Sequence, residues 1–404
     1  MTTTVNDQTE FPLIISTDDH LVEPADVWSS RLPERYREIG PHIVYAPVDS
    51  TPILDGAGYI EKPGTEGKPA AWWFYEDHRY SIKRLIAAAG YPAEEITTDG
   101  VTYDEMRPGC WQPQARLDDM TMNHVEASLC FPNYPRFAGQ IFLNAKDKDL
   151  AKLCVEAYND FQVEEWCAGS GGRLIPLCIV PLWDVELAAA ETLRNAQRGV
   201  HAICFSELPH HLKLPTIHSG SWDPVFQTCN DTGVTLCMHI GSSSTNPMAS
   251  PDAPAGAGAM IAFNNSMASL ADWLFSRKLI EFPKLKIAFS EGQIGWIPYA
   301  LERADTVWDK HDAWQNSKAR IPEPPSTYYY GRIFGCFTAD HHGLHSLAEV
   351  GEDNICFETD YPHTDTTWPN SKEYIEKMLA DFDDDIAYKV LRGNAIKMLE
   401  LDRV

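Results

Sequence analysis

The sequence predicts an α/β protein that folds as a single (β/α)8 barrel, or TIM barrel, with a long insertion after the first strand. Two observations lead to this prediction. Eight short apolar runs recur along the chain, and segments with helical character lie between most of them. The length of 404 residues exceeds that of an ordinary domain, but it fits one barrel domain, residues 1–404, that carries insertions.

Each apolar run is bounded by Gly, Pro or Asp and is rich in β-branched or aromatic residues, as buried parallel strands are. Gly331 and Gly335 dilute the seventh run. The clearest helical segments are 147–168 and 184–198. The predicted strands are 13–17, 126–132, 173–181, 199–206, 233–240, 285–291, 331–338 and 354–360.

Residues 40–115 break this alternation, because they are rich in Pro and Gly and crowded with aromatic side chains. A structureless loop of that length is unusual inside a compact domain, so we predict an inserted lid or dimer-contact region. Its aromatic run includes Trp72 and Trp73, which offer flat apolar surface and are candidate substrate-binding residues. Packing between the insertion and the barrel is the alternative for both.

The composition restricts the class of partner. The net charge of -25 comes from 33 basic and 58 acidic residues, and it would repel nucleic acid and anionic membranes. A small-molecule substrate is therefore expected. We find no secretory signal or membrane-spanning stretch, and the ten cysteines form no Cys-x-x-Cys pair. These features predict a cytoplasmic protein whose cysteines are reduced core residues.

Acidic and imidazole side chains end three of the predicted strands. Asp18 and His20 follow the first strand, His239 ends the fifth, and Asp360 ends the eighth. In a barrel these strand ends meet on one open face, and residues two apart on a strand point to the same side. Two imidazole nitrogens and two carboxylates would then reach one divalent metal ion.

Several motifs along the chain resemble the amidohydrolase superfamily, in the branch that contains aminocarboxymuconate semialdehyde decarboxylase and γ-resorcylate decarboxylase. The resemblance runs nearly from end to end, although residues 40–115 lie outside it. The motifs are Asp18-x-His20 with Glu23-Pro24, Arg116-Leu117-Asp118-Asp119-Met120, Tyr158-Asn159-Asp160, His239, Asp360-Tyr361-Pro362-His363 and Gly393-Asn394-Ala395.

The resemblance implies that Asp18, His20, His239 and Asp360 are the metal ligands. Many relatives carry His or Glu at the position of Asp18, and an acid there still binds zinc, manganese or iron. We expect zinc, with manganese or iron as alternatives. Relatives with two metals use a carboxylated Lys on the fourth strand, and residues 199–206 contain no Lys. One ion is therefore expected.

The chain departs from the family after the sixth strand, where the decarboxylases have His and this sequence has Glu291. Glu291 either handles protons or holds a metal ligand in place. Asp360 is the expected proton donor and acceptor, and His363, which follows it closely, can reach the substrate. His201, early in the fourth strand, is either a substrate-binding residue or a hydrogen-bonded core residue.

Together these features predict a mononuclear metal-dependent enzyme that acts on a small aromatic or unsaturated carboxylic acid. We favour non-oxidative decarboxylation. The alternatives are a metal-dependent hydrolase of a carbon-carbon, ester or amide bond, and a catalytically inactive binding barrel. A homodimer or higher homo-oligomer is also expected.

Overall fold

The computed structural model describes residues 11–52 and 59–402 and combines helices with mainly parallel strands. The strands are β1 (Ile14–Leu21), β2 (His42–Pro52), β3 (Tyr59–Pro63), β4 (Pro69–Tyr75), β5 (His78–Ser81), β6 (Val125–Pro132), β7 (Leu174–Ile175), β8 (Leu177–Cys178), β9 (Ala202–Cys204), β10 (Thr235–His239), β11 (Ile287–Ser290), β12 (Ile333–Phe337) and β13 (Ile355–Phe357).

Two parallel sheets contain the strands predicted for the barrel. Their strand orders are β1-β6-β7 and β13-β12-β11-β10-β9-β8, so the order in space follows the order along the chain. Pro176 separates β7 from β8, since proline cannot donate to a strand ladder. On the other side, the backbone N–H of Asp360 donates to the carbonyl of Asp18 at 3.1 Å. Each of the eight predicted runs overlaps an observed strand.

Helices connect most of the parallel strands. The predicted segments 147–168 and 184–198 form α3 and α4, whose first turns are capped by the side chains of Asp147 and Asp184. The helices are α1 (Pro113–Met122), α2 (Gln140–Leu143), α3 (Lys148–Phe161), α4 (Val185–Ala196), α5 (Asp223–Thr232), α6 (Ala255–Met260), α7 (Asn264–Phe275), α8 (Lys278–Glu281), α9 (Ile297–Lys310), α10 (Asp312–Gln315), α11 (Ser317–Arg320), α12 (His341–Leu344), α13 (Leu347–Val350), α14 (Ser371–Met378), α15 (Asp384–Tyr388) and α16 (Asn394–Leu399).

The region after the first strand contains a separate antiparallel sheet with the order β3-β2-β4-β5. Trp73 of β4 anchors this sheet to the rest of the chain. Its ring stacks on Tyr134 at 4.9 Å and meets the edge of Trp28 at 5.0 Å. The insertion is therefore packed against the body of the protein, and its role as a lid or dimer contact stays a prediction.

Two boundaries differ from the prediction. Strand β1 continues to Leu21, so Asp18 and His20 lie inside the strand and not after it. Strand β9 begins at Ala202, so His201 precedes the strand. All ten cysteines are free thiols, and every one except Cys167 is buried. Within 11–52 and 59–402, none of the helices combines the length and apolar character needed to cross a membrane.

Candidate metal centre

The carboxyl ends of four parallel strands bring five acidic and imidazole side chains together. Asp18 and His20 belong to β1, and His239 is the last residue of β10. Glu291 directly follows β11, and Asp360 lies three residues beyond β13. Asp18, His20, His239 and Glu291 form one group of mutually close ligand atoms. His20 and Glu291 also belong to a second group, which contains Asp360 and His363.

The distances between these side chains suit ligands of a shared ion. His20 Nε2 lies 3.4 Å from both Asp18 Oδ1 and Asp360 Oδ1. His239 Nε2 lies 3.3 Å from both Asp18 Oδ2 and Glu291 Oε1. Ligand atoms about 2.1 Å from a tetrahedral ion are separated by about 3.4 Å. The observed spacings match that arrangement.

Most of these ligand atoms have no hydrogen-bond partner. Both carboxylate oxygens of Asp18, both ring nitrogens of His20, Nε2 of His239 and Oδ1 of Asp360 are buried and unbonded. Buried polar atoms are nearly always satisfied, so a concentration of unsatisfied atoms around one point indicates a bound group. The donor set of oxygen and imidazole nitrogen fits a divalent metal ion.

The electrostatics of the cluster support the same conclusion. Burial, followed by the charge of nearby carboxylates, raises the pKa of both Asp18 and Asp360. Burial lowers the pKa of His20 to about 4. Desolvation opposes ionisation of Glu291 and His239, but their mutual attraction outweighs it, so the pKa of Glu291 falls and that of His239 rises. A divalent cation would compensate this excess of acidic groups.

Two of the acids occupy strained backbone conformations. Glu291 has a φ of 53° and Asp360 a φ of 50°, in the left-handed region that costs a residue with a Cβ about 1–2 kcal/mol. The Glu291 N–H donates to the buried carboxyl of Glu358 at 3.0 Å, which holds the turn. Such strain is concentrated at functional sites, where it aims a side chain.

A buried carboxylate between the two ligands of β1 fixes three strands relative to one another. Asp19 Oδ1 accepts hydrogen bonds from Ser16 Oγ at 3.0 Å, Thr359 Oγ1 at 2.6 Å and the Tyr361 N–H at 3.0 Å. Its other oxygen accepts from Ser128 of β6. Asp19 therefore holds the strand ends that carry three of the ligands.

His239 is oriented by its neighbours. Its Nδ1 donates to the carbonyl of Ile240 at 2.6 Å, which leaves the Nε2 lone pair facing the cluster. Phe137 stacks on the ring at 4.0 Å. The carboxyl of Glu207 accepts from the Gly241 N–H at 3.1 Å and from Ser243 Oγ at 3.2 Å, which fixes the loop after His239. Burial raises the pKa of Glu207 to about 7.

His363 packs against the cluster, and its hydrogen bonds indicate which ring nitrogen carries the proton. Its ring stacks on His20 at 3.6 Å. The Asn133 amide nitrogen donates to the Leu21 carbonyl, so Asn133 Oδ1 must accept from His363 Nε2, 3.0 Å away. The proton is therefore on Nε2, and the Nδ1 lone pair faces Asp360 Oδ1 at 3.5 Å.

The family model described as amidohydrolase matches residues 42–401. The chain belongs to the amidohydrolase family. The bounds of the match span the antiparallel sheet, and the expectation that residues 40–115 lie outside the family resemblance stays a prediction. The match begins after β1, so the placement of Asp18 and His20 depends on the structure.

Solved structures of carboxylate decarboxylases and of another amidohydrolase share the fold. Amidohydrolase map2389c from Mycobacterium avium subsp. paratuberculosis K-10 is 19% identical with a TM-score of 0.70, covering 96% of this chain and 99% of its own. Dihydroxybenzoic acid decarboxylase from Polaromonas sp. JS666, with bound manganese and 2-nitroresorcinol, is 20% identical with a TM-score of 0.59, covering 74% and 90%. Manganese-bound 5-carboxyvanillate decarboxylase from Novosphingobium aromaticivorans DSM 12444 is 19% identical with a TM-score of 0.59, covering 71% and 79%.

Three predicted residues of this amidohydrolase lie away from the cluster. His201 precedes β9 and lines a cavity of about 320 Å³ with Leu174, at the amino end of the strands, opposite the ligands. The Trp72 indole is buried and donates to the carbonyl of Ala46 at 2.9 Å. Trp73 is equally buried in its aromatic cluster. Packing accounts for both tryptophans, and strand geometry separates His201 from the ligands.

Two contributors to the site were not singled out from the sequence, and a third, Glu291, was given a different role. Glu291 was expected to handle protons or support a ligand, and its Oε1 lies at ligand distance from His239. Asn133 and Glu207 were not singled out, although each closely follows the end of a parallel strand. Their position shortly after the end of a strand was the sequence feature that could have identified them.

Proposed function

We propose that this amidohydrolase is a mononuclear metal-dependent carboxy-lyase that removes CO₂ from a hydroxylated aromatic or unsaturated carboxylic acid without oxidation. The proposal is carried by two overlapping groups of candidate ligands, Asp18-His20-His239-Glu291 and His20-Glu291-Asp360-His363, which share His20 and Glu291. The fold shared with two manganese-containing decarboxylases supports it. Because those proteins are distant relatives, the reaction is inferred from the site.

We further propose that the nine parallel strands close into a (β/α)8 barrel, in which β7 and β8 are two halves of one barrel strand. The sequential strand order and the hydrogen bond between Asp360 and Asp18 support closure. In such barrels the loops after the strands form the active site, which is the edge where the ligands lie. A cytoplasmic location and a homo-oligomeric state stay predictions.

Asp18, His20, His239 and Asp360 would hold one ion, with Glu291 as a fifth ligand. Three carboxylates and two imidazoles suit manganese and iron as well as zinc, so the expectation of zinc is open to test. When bound, the ion would polarise substrate oxygens and stabilise the negative charge that develops as the carboxylate leaves.

Asp360 and His363 are placed to manage the proton. In our proposal the Asp360 carboxyl donates a proton to the substrate carbon that bears the carboxylate. The bond from that carbon to the carboxylate then breaks, CO₂ leaves, and the bonding electrons restore the ring or double bond. The His363 Nδ1 lone pair beside Asp360 Oδ1 accepts a hydrogen bond from the protonated acid and orients it.

Arg136 is our candidate for the residue that attracts the substrate anion. It is exposed and adjoins Phe137, which stacks on His239. No described residue pairs with its guanidinium, whereas Arg107 is held by Asp119 at 2.6 and 2.7 Å. Burial raises the pKa of the Tyr80 hydroxyl to about 12, and the nearby charge of Arg136 opposes that rise. A cation at this position offsets the strong negative charge of the chain.

The test is a screen of hydroxylated and amino-substituted benzoates and unsaturated acids with the manganese- or zinc-loaded protein. We expect CO₂ release without net consumption of water. In D₂O, deuterium should appear on the carbon that lost the carboxylate. The Arg136→Gln variant should raise KM more than it lowers kcat.

The matched substrates are the corresponding esters, amides and β-diketones. Cleavage of these alone, with solvent oxygen entering the product, would make the protein a hydrolase. A protein that binds no metal and turns over neither group would be an inactive binding barrel.

A further inference from the structure

A cavity of about 560 Å³ lies in the inserted region, and no ligand of the candidate metal centre lines it. Its wall includes Arg84, which is only 7% exposed. The guanidinium of Arg84 stacks over the ring of Tyr91 at 3.6 Å, and its Nη1 donates to the Ala87 carbonyl at 3.2 Å. A buried arginine normally faces a carboxylate, and none of the described acids pairs with Arg84.

The rest of the cavity fits a small flat anion. Pro47, Val48 and Val101 supply apolar wall beside the Arg84–Tyr91 stack. The acids Glu66, Glu95 and Asp99 also line it, but they are exposed, so water screens their charge more than it screens Arg84. A planar guanidinium presents paired N–H donors that match a carboxylate.

The segment that follows Arg84 reaches the candidate metal centre. The backbone N–H groups of Ala88 and Ala89 donate to the carbonyl of Pro362, at 2.7 and 3.2 Å. Pro362 lies between Asp360 and His363 in the chain. A ligand that fixes Arg84 therefore acts on a segment bonded to the turn that carries both of these residues.

We propose that this cavity is a second binding site for a small planar carboxylate, and that its occupation is transmitted through residues 84–89 to the turn at Asp360–His363. The inference is independent of the reaction proposed above, because it concerns binding at a place that contains none of the metal ligands. A carboxylate that binds one arrangement of residues 84–89 better than another favours that arrangement. The shift would move the turn at Asp360–His363 and so change the candidate metal centre.

The test measures binding of benzoate by calorimetry, with benzamide as the uncharged comparison. Because the metal centre is itself proposed to take aromatic carboxylates, the Arg84 and Arg79 variants are made in the His239→Ala background as well as in the wild type. We expect benzoate to bind and benzamide to bind much more weakly. Arg84→Met should weaken benzoate binding roughly tenfold or more, the usual consequence of losing a charge-assisted hydrogen-bonded partner. Arg79→Met is the matched control, since Arg79 is a neighbouring arginine that does not line the cavity. It should leave binding unchanged.

Two further measurements separate this site from the metal centre. His239→Ala should retain benzoate binding, and hydrogen exchange should slow at residues 84–91 and 360–363 when benzoate is added. If Arg84→Met proves unstable, Arg84→Lys, which keeps the charge but not the planar fork, should show partial loss. Unchanged binding in both Arg84 variants, loss in His239→Ala, or no binding to the wild type would overturn the site. Binding with no slowing at 360–363 would overturn the coupling.

Discussion

Replacing Glu207 with Gln should make the free energy of unfolding depend less on pH. Glu207 Oε1 accepts hydrogen bonds from the Gly241 N–H, Ser243 Oγ and Asn265 Nδ2, at 3.1 to 3.3 Å. A glutamine oxygen can accept the same three bonds. Its amide can donate to Ser266 Oγ, which lies 3.5 Å from Oε2. The substitution therefore removes the titrating group and keeps its contacts.

The expected magnitude follows from the shift in pKa. Burial raises the pKa of Glu207 from 4.5 to about 7 in the folded chain. Below pH 4.5 the group is protonated in both states, and its contribution to stability is fully present. As pH rises from 4.5 to 7 the unfolded chain loses the proton and the folded chain keeps it, so stability falls. Since one pKa unit corresponds to about 1.4 kcal/mol, the loss above pH 7 approaches about 3 kcal/mol.

Urea unfolding at pH 5 and pH 8, in the presence of a chelator, measures this difference. Between these two pH values the wild type should lose about 2 kcal/mol relative to Glu207→Gln. The exposed Glu302→Gln is the control and should follow the wild type. A constant difference between wild type and Glu207→Gln at both pH values would refute the reasoning, because the carboxyl would then ionise alike in both states.

Four other predictions concern the site and its support. Elemental analysis should find one divalent ion per chain, lost in His239→Ala; two ions per chain would contradict the proposed ligand set. Asp360→Asn should remain folded and lose activity by on the order of 10² to 10⁴, and full recovery with excess metal would reduce Asp360 to a ligand. Glu291→Gly should lower the affinity for the metal, because the Glu291 Oε1 lies at ligand distance from His239, and a metal titration can check this. Trp73→Ala should destabilise the fold by about 3–5 kcal/mol, and an unchanged melting temperature with an altered KM would instead favour substrate contact.

The parallel strands and the positions of the four candidate ligands at their carboxyl ends could be derived from sequence because they share one simple signal. A buried strand appears as an apolar run, and a polar side chain at its carboxyl end belongs to the open face. His239 and Asp360 follow this rule directly. His201 does not, because it lies at the amino end of its run, and the observed β9 begins only at Ala202.

The roles of Trp72 and Glu291 depended on information that a local pattern does not contain. Aromatic residues that bind a substrate and aromatic residues that pack in a core give the same sequence pattern. Only the residues they contact in the folded protein distinguish the two, as the stacking of Trp73 on Tyr134 does. Glu291 reaches His239 because its backbone is left-handed, a conformation that nothing in the residues Ser290-Glu291-Gly292 specifies. The hydrogen bond from its N–H to the Glu358 carboxyl joins two residues that are 67 positions apart in the chain, so no local pattern could reveal it.

Without a bound ion the cluster would be costly to the fold, and that cost is evidence for a metal-binding role. Asp18, Asp360 and Glu358 are buried carboxyl groups whose pKa values are raised by burial, and Glu291 adds a further acid with a strained backbone. A packed apolar residue at any of these positions would remove both the desolvation and the repulsion. A divalent cation would offset the same charges and so would stabilise this arrangement. Chelation should therefore lower the thermal stability of the wild type, and by less in a variant such as Asp18→Asn, whose buried charge is already reduced.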